Sequence, residues 1–252
     1  MRPLLDWFGT LLFVPAFGLT MLVFDVIQRL ALLVSRGAHD RALLGLQWTL
    51  ARLCLPLFGL RAEVEGADAL PPPPCIFVAN HQAMFDMPLF AAAAGRHHLK
   101  YVAKKELAQG VPSISIAVRR GGFAAIDRKN RVQAVEAIRA MGAEAERRRV
   151  SVLIFPEGTR AWDGRLKPFK PAGTLTLLET MPDAPVVPLA IDGMWRVVAR
   201  RLKPLPWGER VRVRFCPALP RSADEDREGL LRRAEAEVAA TIAGWRGTEP
   251  GA

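Results

Sequence analysis

Two side chains that together make a general base lie five positions apart in this chain. His81 follows the apolar segment Cys75–Ala79, which is typical of a buried strand, and Asp86 precedes an alanine-rich run. The sequence predicts a loop at His81 and a helix that begins with Asp86 as its N-cap residue and ends at Gly95. We expect the Asp86 carboxylate to fold back onto the His81 imidazole, where it would fix the tautomer and stabilise the imidazolium. A loop histidine beside an ordinary helix cap is the alternative that this stretch alone leaves open.

A second polar segment follows another predicted buried strand, Val150–Phe155. Residues 155–160 have the sequence Phe-Pro-Glu-Gly-Thr-Arg. Gly158 allows a ligand to approach the backbone closely, and the backbone N–H groups, Thr159 and Arg160 are suited to bind an anion. Glu157 is suited to accept a hydrogen bond from a substrate hydroxyl. A polar turn with a surface ion pair is the alternative.

Further cations follow two other predicted strands. Arg128 comes after Phe123–Ile126, and Lys105 comes after Leu99–Ala103. Because parallel strands end at the same edge of a sheet, we expect His81 and these cations at one edge, where chemistry is usually found in α/β proteins. Taken singly, each cation is more often a solvated surface residue, and only their occurrence together with His81 indicates a site.

The elements that position these residues alternate between strand and helix. This alternation predicts an α/β fold with a mostly parallel sheet flanked by helices. The other predicted elements are a helix capped by Asn130, a helix at Pro171–Thr180, a strand at Val186–Ile191 that ends before Asp192, a basic loop at Arg196–Pro206, edge strands at Arg61–Ala69 and Val211–Phe215, and a closing helix at Asp224–Trp245.

The first sixty residues differ in character from the rest of the chain. Trp7–Phe24 is an uncharged apolar run broken by Gly9, Pro15 and Gly18. Ser35–Arg41 is a polar turn, and Ala42–Leu60 is again mostly apolar. This pattern predicts a membrane-associating helical hairpin that lies in one leaflet; a spanning helix and a soluble helical layer are the alternatives. We therefore divide the chain into N-terminal helices (1–60), a second domain (61–245) and a polar tail (246–252).

Composition narrows the class of partner. The chain has 35 Lys and Arg against 25 Asp and Glu, a net charge of +10, and half of its residues are hydrophobic. A basic surface suits nucleic acid, anionic lipid or phosphorylated substrates. The apolar content favours a membrane, and the sequence has no nucleic-acid-binding motif, so no nucleic-acid partner is expected.

Other kinds of site are disfavoured. His39, His97 and His98 have no ligand-like spacing with acidic residues or cysteine, so no metal is predicted. Glycine-rich nucleotide loops and the Gly-x-Ser-x-Gly motif of serine esterases are also missing from the sequence. The three cysteines lie in apolar runs, which indicates buried thiols.

The chain resembles the glycerolipid acyltransferase family, and within it the bacterial 1-acylglycerol-3-phosphate (lysophosphatidate) acyltransferases. Asn80–Asp86 is similar to the family's Asn-His-x4-Asp block, Gly122–Arg128 to its second block, Phe155–Arg160 to its Phe-Pro-Glu-Gly-Thr-Arg block, and Val187–Leu189 to its short fourth block. The four blocks occur in the family's order, and the resemblance covers about residues 61–215. Pro171, after Phe169-Lys170, departs from the pattern.

The resemblance implies a mechanism and a role for each residue. His81 and Asp86 would be catalytic, with the histidine taking the proton from a lysophospholipid hydroxyl that attacks an acyl thioester, either acyl-CoA or acyl carrier protein. No other cofactor and no metal would be needed. The substrate-binding residues would be Lys105, Arg128, Glu157, Gly158, Thr159 and Arg160.

The resemblance also implies a location and leaves rival functions open. The protein would associate with the anionic cytoplasmic face of a bacterial inner membrane. An acyltransferase for another lysolipid, such as a lyso-ornithine lipid, a thioesterase in which His81 activates water, and a non-catalytic lipid-binding protein are the alternatives.

Overall fold

The computed structural model of the chain describes residues 2–199, 203–221 and 226–247. Seven strands form one sheet, in the order β1-β7-β6-β2-β5-β3-β4. The strands are β1 (Arg61–Glu65), β2 (Ile76–Ala79), β3 (Lys100–Lys104), β4 (Ala124–Ile126), β5 (Val152–Ile154), β6 (Val186–Asp192) and β7 (Arg210–Phe215). The five strands from β6 to β4 are parallel, whereas β7 is antiparallel to β6 and β1 is parallel to β7. The predicted α/β fold with a mostly parallel sheet is confirmed.

Eight α-helices surround this sheet within the described residues. They are α1 (Arg2–Val34), α2 (Arg36–Thr49), α3 (Asp86–Ala94), α4 (Ile114–Arg120), α5 (Arg131–Arg148), α6 (Pro171–Thr180), α7 (Met194–Val198) and α8 (Arg227–Gly247). A π-helical turn at Leu50–Cys54 and a 3-10 turn at Leu55–Phe58 continue the chain from α2 to β1.

The sheet separates two apolar cores, and β2 contributes to both. Phe77 and Ala79 point into the core formed with α1, α2, α3 and α7, whereas Ile76 and Val78 point into the core formed with α5, α6 and α8. This alternation follows from the two-residue period of a strand. Since both faces of β2 are covered, all four of its residues are buried, as expected for a strand in a parallel sheet.

The N-terminal region is a helical hairpin, as predicted, but its first helix is longer than the apolar run, and the predicted turn Ser35–Arg41 is wrong beyond Ser35 because α2 begins at Arg36. α1 continues without interruption through Gly9, Pro15 and Gly18. At Gly9 a Cβ atom would lie 2.7 Å from the Cα of Phe58, so glycine allows α1 to approach the 3-10 turn. The hairpin closes at Ser35, whose hydroxyl accepts a hydrogen bond from the N–H of Ala38 as the N-cap of α2.

Four predictions about elements are wrong in detail. β7 lies between β1 and β6 and is not an edge strand; its exposed arginines pair with the glutamates of β1, which explains the alternation that suggested an edge. The N-cap of α3 is Phe85, so Asp86 is the first helical residue. The predicted basic loop Arg196–Pro206 begins inside α7, and its residues 200–202 lie outside the described residues. α8 extends to Gly247, which places Arg246 in the helix and not in a tail.

The start predicted for the closing helix, residues 224 and 225, and the tail residues 248–252 lie outside the described residues. The predicted N-cap at Asn130 is confirmed, because its side chain accepts a hydrogen bond from the N–H of Gln133 at 3.0 Å. The three cysteines are buried and free, as predicted.

Candidate active site

The residues selected from the sequence converge on one edge of the sheet. β2, β5 and β4 run in the same direction, so the loops that follow them open at the same edge. These loops carry His81, Arg128 and the segment 157–160. The expectation that separate strand ends share an edge is therefore confirmed.

His81 and Asp86 form the predicted pair. The Nδ1 atom of His81 lies 2.8 Å from Oδ2 of Asp86, whose side chain is fully buried. The same carboxylate oxygen accepts hydrogen bonds from the N–H groups of Gln82 at 2.7 Å and Ala83 at 2.9 Å. Asp86 therefore fixes both the imidazole and the backbone of the loop that carries it.

The second ring nitrogen of His81 is available for chemistry. The side chain is 13% exposed, and Nε2 has no hydrogen-bond partner among the described residues. The imidazole stacks on Phe155 with ring centroids 4.0 Å apart and an angle of 20° between the planes. With Nδ1 held by Asp86 as a donor, the neutral ring presents Nε2 as an acceptor, the form that a general base requires.

The loop after β2 is also bound to its neighbours in the sheet. The side chain of Asn80 donates to the carbonyl oxygen of Ile191 at 2.9 Å and accepts from the N–H of Ile191 at 2.8 Å. The carbonyl oxygen of His81 accepts from the N–H of Ala161 at 2.7 Å. Because these partners are on β6 and in the loop after β5, the position of His81 depends on three strand ends.

Glu157 is buried beneath the loops at this edge and is not accessible to solvent. It is 1% exposed, its Oε1 accepts from the N–H of His81 at 2.7 Å, and its Oε2 accepts from the N–H of Lys167 at 3.2 Å. Both oxygens are therefore occupied within the chain. This geometry supports a positioning role for Glu157 in place of the substrate contact expected from the sequence.

Burial raises the pKa of Glu157 to about 7, although the hydrogen bonds from His81 and Lys167 act in the opposite direction. In the unfolded chain this carboxyl has its ordinary pKa of about 4.5. Between these two values the unfolded state releases the proton and the folded state keeps it, so stability falls as pH rises.

We therefore expect the stability of the wild type to fall relative to Glu157→Gln between pH 5 and pH 8, by at most roughly 3 kcal/mol. Glutamine has no proton to release, so it isolates the titration of this side chain. The measurement is urea unfolding of both proteins in the same detergent at the two pH values. If the difference in unfolding free energy between the wild type and Glu157→Gln were the same at both pH values, the shifted pKa would be contradicted.

The cations lie at the same edge as His81. Burial lowers the pKa of Arg160, and the positive charge of Arg128 lowers it further, whereas the negative charge of Asp86 raises it. Both arginines therefore lie within electrostatic range of the site. The Arg160 guanidinium packs over the ring of Trp162 at 5.5 Å. Lys105 reaches the end of β4, where its Nζ contacts Oδ2 of Asp127 at 2.6 Å.

Gly158 and Thr159 lie on the exposed part of the loop after β5. Gly158 has a φ of +71°, a conformation that favours glycine, and an added Cβ would lie 3.5 Å from Nζ of Lys170. The Thr159 hydroxyl accepts from Nζ of Lys167 at 3.1 Å. Two lysines that the sequence analysis did not select therefore contribute charge to this loop.

Other contributors were missed by sequence reasoning. Phe155 supplies the ring beneath His81, and Gln82 and Asp192 form a hydrogen bond of 3.0 Å next to the histidine loop. Phe155 was treated as a strand residue and Asp192 as a strand end, and their spacing from His81 gives no indication of contact. The described residues contain no group of three or more His, Cys, Asp or Glu side chains that could hold a metal ion.

Comparisons with known proteins agree with the chemistry indicated by this site, a His-Asp pair and arginines at the carboxyl edge of a parallel sheet. The family model described as "Acyltransferase" matches residues 61–192, which is more than half of the chain. The chain therefore belongs to the acyltransferase family. The match begins at the boundary expected near Arg61 and contains every candidate site residue.

Individual relatives agree with this assignment. The chain is 31% identical over 165 residues to the 1-acyl-sn-glycerol-3-phosphate acyltransferase alpha of Ovis aries, covering 65% of this chain and 56% of the relative. It is 34% identical over 138 residues to the 1-acyl-sn-glycerol-3-phosphate acyltransferase of Salmonella typhimurium, covering 54% of this chain and 55% of that one. The chain thus spans about half the length of the curated relatives it matches.

A solved structure shares the fold. The 1-acyl-sn-glycerophosphate acyltransferase PlsC from Thermotoga maritima superposes with a TM-score of 0.78 at 22% sequence identity, covering 99% of this chain and 100% of that chain. The overlap includes the N-terminal helices as well as the sheet, so both parts of the chain have the architecture of that protein.

Proposed function

We propose that the protein transfers a fatty acyl group from an acyl thioester to the sn-2 hydroxyl of lysophosphatidate, producing phosphatidate. The observation that carries this proposal is the His81–Asp86 pair, with Nε2 unpartnered among the described residues, at a sheet edge that also holds Arg128 and Arg160. Family membership supports the reaction class, and the activity for which the relatives are named supports the acceptor.

The reaction proceeds by direct transfer. Nε2 of His81 takes the proton of the acceptor hydroxyl as its oxygen attacks the thioester carbonyl, and Asp86 stabilises the imidazolium that forms. The tetrahedral intermediate then collapses, the C–S bond breaks, and the imidazolium returns the proton to the thiolate. The new ester forms without an acyl-enzyme, a metal or a cofactor other than the donor, which is acyl-CoA or acyl carrier protein.

The cations bind the phosphate of the acceptor. Arg160 is fixed on Trp162, and Arg128 lies in electrostatic range of it, so two guanidinium groups face an anion at this edge. Lys105, in the turn that follows β3, adds a further positive charge and pairs with Asp127. Thr159 and the Gly158 backbone lie beside them, where the glycerol part and the developing oxyanion are bound.

The protein lies on a membrane with α1 in the plane of one leaflet. α1 is the one helix among the described residues that is long and apolar enough to cross a membrane. Its polar side contacts the second domain at two places. Oδ1 of Asp6 accepts a hydrogen bond from the N–H of Trp207, and Oδ1 of Asp25 accepts one from the N–H of Ser113. A helix attached along its length in this way leaves one apolar face for lipid, which favours the interfacial arrangement over a spanning one.

Disrupting this apolar face is expected to release the protein from vesicles. Leu11 and Leu19 are 69% and 64% exposed on α1, and burial of a leucine side chain contributes about 2 kcal/mol. The double variant Leu11→Asp, Leu19→Asp should therefore bind vesicles containing anionic lipid at least about a hundredfold more weakly. Co-sedimentation measures this, and Val132→Asp on α5, equally exposed, is the control expected to bind normally. Equal binding by the double variant would contradict the arrangement.

The net charge of +10 and the lipid acceptor in the names of the relatives suit the anionic cytoplasmic face of a bacterial inner membrane, which is the location we propose. Lysolipid and acyl thioester are the partners, and an acidic carrier protein fits the basic surface as the form of the donor. We propose no nucleic-acid partner.

An assay that follows both products tests the function. Detergent-purified protein receives a thioester donor with lysophosphatidate or, separately, with other lysolipids including lyso-ornithine lipid, and free thiol and acylated lipid are measured together. Equal amounts of thiol and phosphatidate, formed fastest from lysophosphatidate, are the expected result. Thiol without acylated lipid would indicate a thioesterase, and preference for another lysolipid would replace the acceptor.

A further inference from the structure

A cluster of polar residues beneath the loop that carries His81 connects this loop to α8. We call Gln82, Gly164, Asp192 and Arg246 the Arg246 cluster. Arg246, near the end of α8, donates from Nε to Oδ2 of Asp192 at 2.9 Å and from Nη2 to Oδ1 of Asp192 at 2.8 Å. Its Nη2 also donates to the carbonyl oxygen of Gly164 at 2.7 Å. One guanidinium thus binds the end of β6 and the loop that follows β5.

The cluster reaches the catalytic pair through Gln82. Nε2 of Gln82 donates to Oδ1 of Asp192 at 3.0 Å, and Oε1 of Gln82 accepts from the N–H of Trp195 at 3.2 Å. The N–H of Gln82 donates to the same oxygen of Asp86 that contacts His81. Because Gln82 is fully buried and its polar side-chain atoms are both bonded, it has little freedom to move independently of Asp192.

The second connection runs through the loop after β5. Gly164 lies in the same loop as Ala161, whose N–H donates to the carbonyl oxygen of His81. A Cβ at Gly164 would lie 2.5 Å from Nε1 of Trp195, so this glycine sits at a close contact with α7. Arg246 therefore acts on His81 from two sides, through Gln82 and through residues 161–164.

The contacts between Asp192 and Arg246 hold the two side chains in a fixed geometry. Asp192 is 5% exposed, and although burial alone would raise its pKa, the hydrogen bonds from Arg246 and Gln82 hold it below the ordinary value. Two parallel N–H···O bonds from one guanidinium to one carboxylate also constrain orientation as well as distance. Loss of Arg246 would leave a buried carboxylate without its cation.

We propose that Arg246 is a positioning residue for acyl transfer, which holds the loops carrying His81 and Arg160 in register through Asp192, Gln82 and Gly164. This inference rests on the proposed function for its kinetic test. It extends the functional unit beyond residues 61–192, the part of the chain that the family model matches, to the C-terminal helix.

Arg246→Ala should lower kcat on the order of tenfold to a hundredfold with little change in KM for lysophosphatidate, because misplacement of a reacting group affects the chemical step. Added guanidinium ion at low concentration should restore part of kcat, since Arg246 is partly exposed and its place is accessible. Arg246→Lys should remain impaired, because an ammonium cannot bind the carboxylate in the same bidentate way. Arg232→Ala, which removes an exposed ion pair of α8, is the matched control and should retain kcat.

A readout independent of turnover separates this inference from the proposed function. Hydrogen exchange in peptides covering 80–86 and 161–166 should be faster in Arg246→Ala than in the wild type and in Arg232→Ala. If the wild type showed no turnover, only the proposed function would be contradicted. The hydrogen-exchange result would still decide whether Arg246 positions the two loops. Unchanged exchange in both peptides, or a kcat for Arg246→Ala equal to that of the control, would overturn the positioning role.

Discussion

Replacement of His81 by alanine is expected to lower the rate of phosphatidate formation by about a thousandfold or more. General-base catalysis by a positioned side chain contributes roughly 10²- to 10⁴-fold, and nothing else among the described residues places an acceptor nitrogen beside Asp86. The fold should persist, because the backbone bonds of His81 to Glu157 and Ala161 do not involve the ring. Steady-state kinetics with lysophosphatidate and an acyl thioester measure the effect.

The matched control is His98→Asn. His98 lies before β3, at the opposite edge of the sheet, and asparagine tolerates its positive φ of 46°. The control should keep wild-type kinetics. Both variants should bind vesicles like the wild type, because neither residue contributes to the exposed face of α1. A His81→Ala protein with more than about a tenth of wild-type kcat would contradict the role of the histidine.

Asp86→Asn is expected to lower kcat by about 10²- to 10⁴-fold, with the fold retained. The amide oxygen of asparagine can replace Oδ2 and accept the same three hydrogen bonds, from the ring of His81 and from the N–H groups of Gln82 and Ala83. The amide nitrogen would occupy the place of Oδ1, which is buried and has no hydrogen-bond partner among the described residues, so its N–H groups would be unpaired and would lower stability. For the reaction itself the lost charge is the main change, and it affects the step in which the imidazolium forms.

The comparison with Asp86→Ala separates charge from structure. Alanine leaves the N–H groups of Gln82 and Ala83 and the ring of His81 without their acceptor, at about 1–3 kcal/mol for each group, and also leaves a cavity, so this variant should unfold at lower urea concentration than Asp86→Asn. Both should have low kcat, but the asparagine variant should keep the wild-type KM. An asparagine variant with full activity would show that the negative charge of Asp86 is not needed.

The parts of the site that are close in sequence could be predicted from it. His81 and Asp86 are separated by one short loop, so their contact follows from local geometry. The common edge of the strands followed from the alternation of strands and helices, which indicates a parallel sheet and therefore strand ends on one side. Arg128 and Arg160 could be assigned to that edge without knowledge of strand order.

Long-range contacts could not be predicted in this way. Glu157 follows a strand like the other site residues, and only the tertiary structure shows that its oxygens bind the backbone of His81 and Lys167. The pairing of Asp192 with Arg246 joins residues more than fifty positions apart, and the sequence pattern assigned one to a strand end and the other to a tail. β7 was taken for an edge strand because charge pairing with β1 gives the same alternation as exposure to water.

The hairpin shows where a local rule is overruled by packing. Pro15 and two glycines predict breaks in the first apolar run, yet α1 is continuous for 33 residues. Its contacts with Trp207, Phe58 and Ser113 at successive positions stabilise it along its whole length. Helix propensity is a weak preference that such tertiary contacts commonly exceed.

The central claim is that His81 activates the acceptor and that the acyl group passes directly to it. The most direct test mixes the protein with an acyl thioester alone and follows thiol release on the time scale of one turnover, with intact-protein mass spectrometry of the same sample. Direct transfer predicts no burst of thiol and no added acyl mass until lysophosphatidate is supplied. A burst equal to the enzyme concentration, together with a protein heavier by one acyl group, would contradict the account.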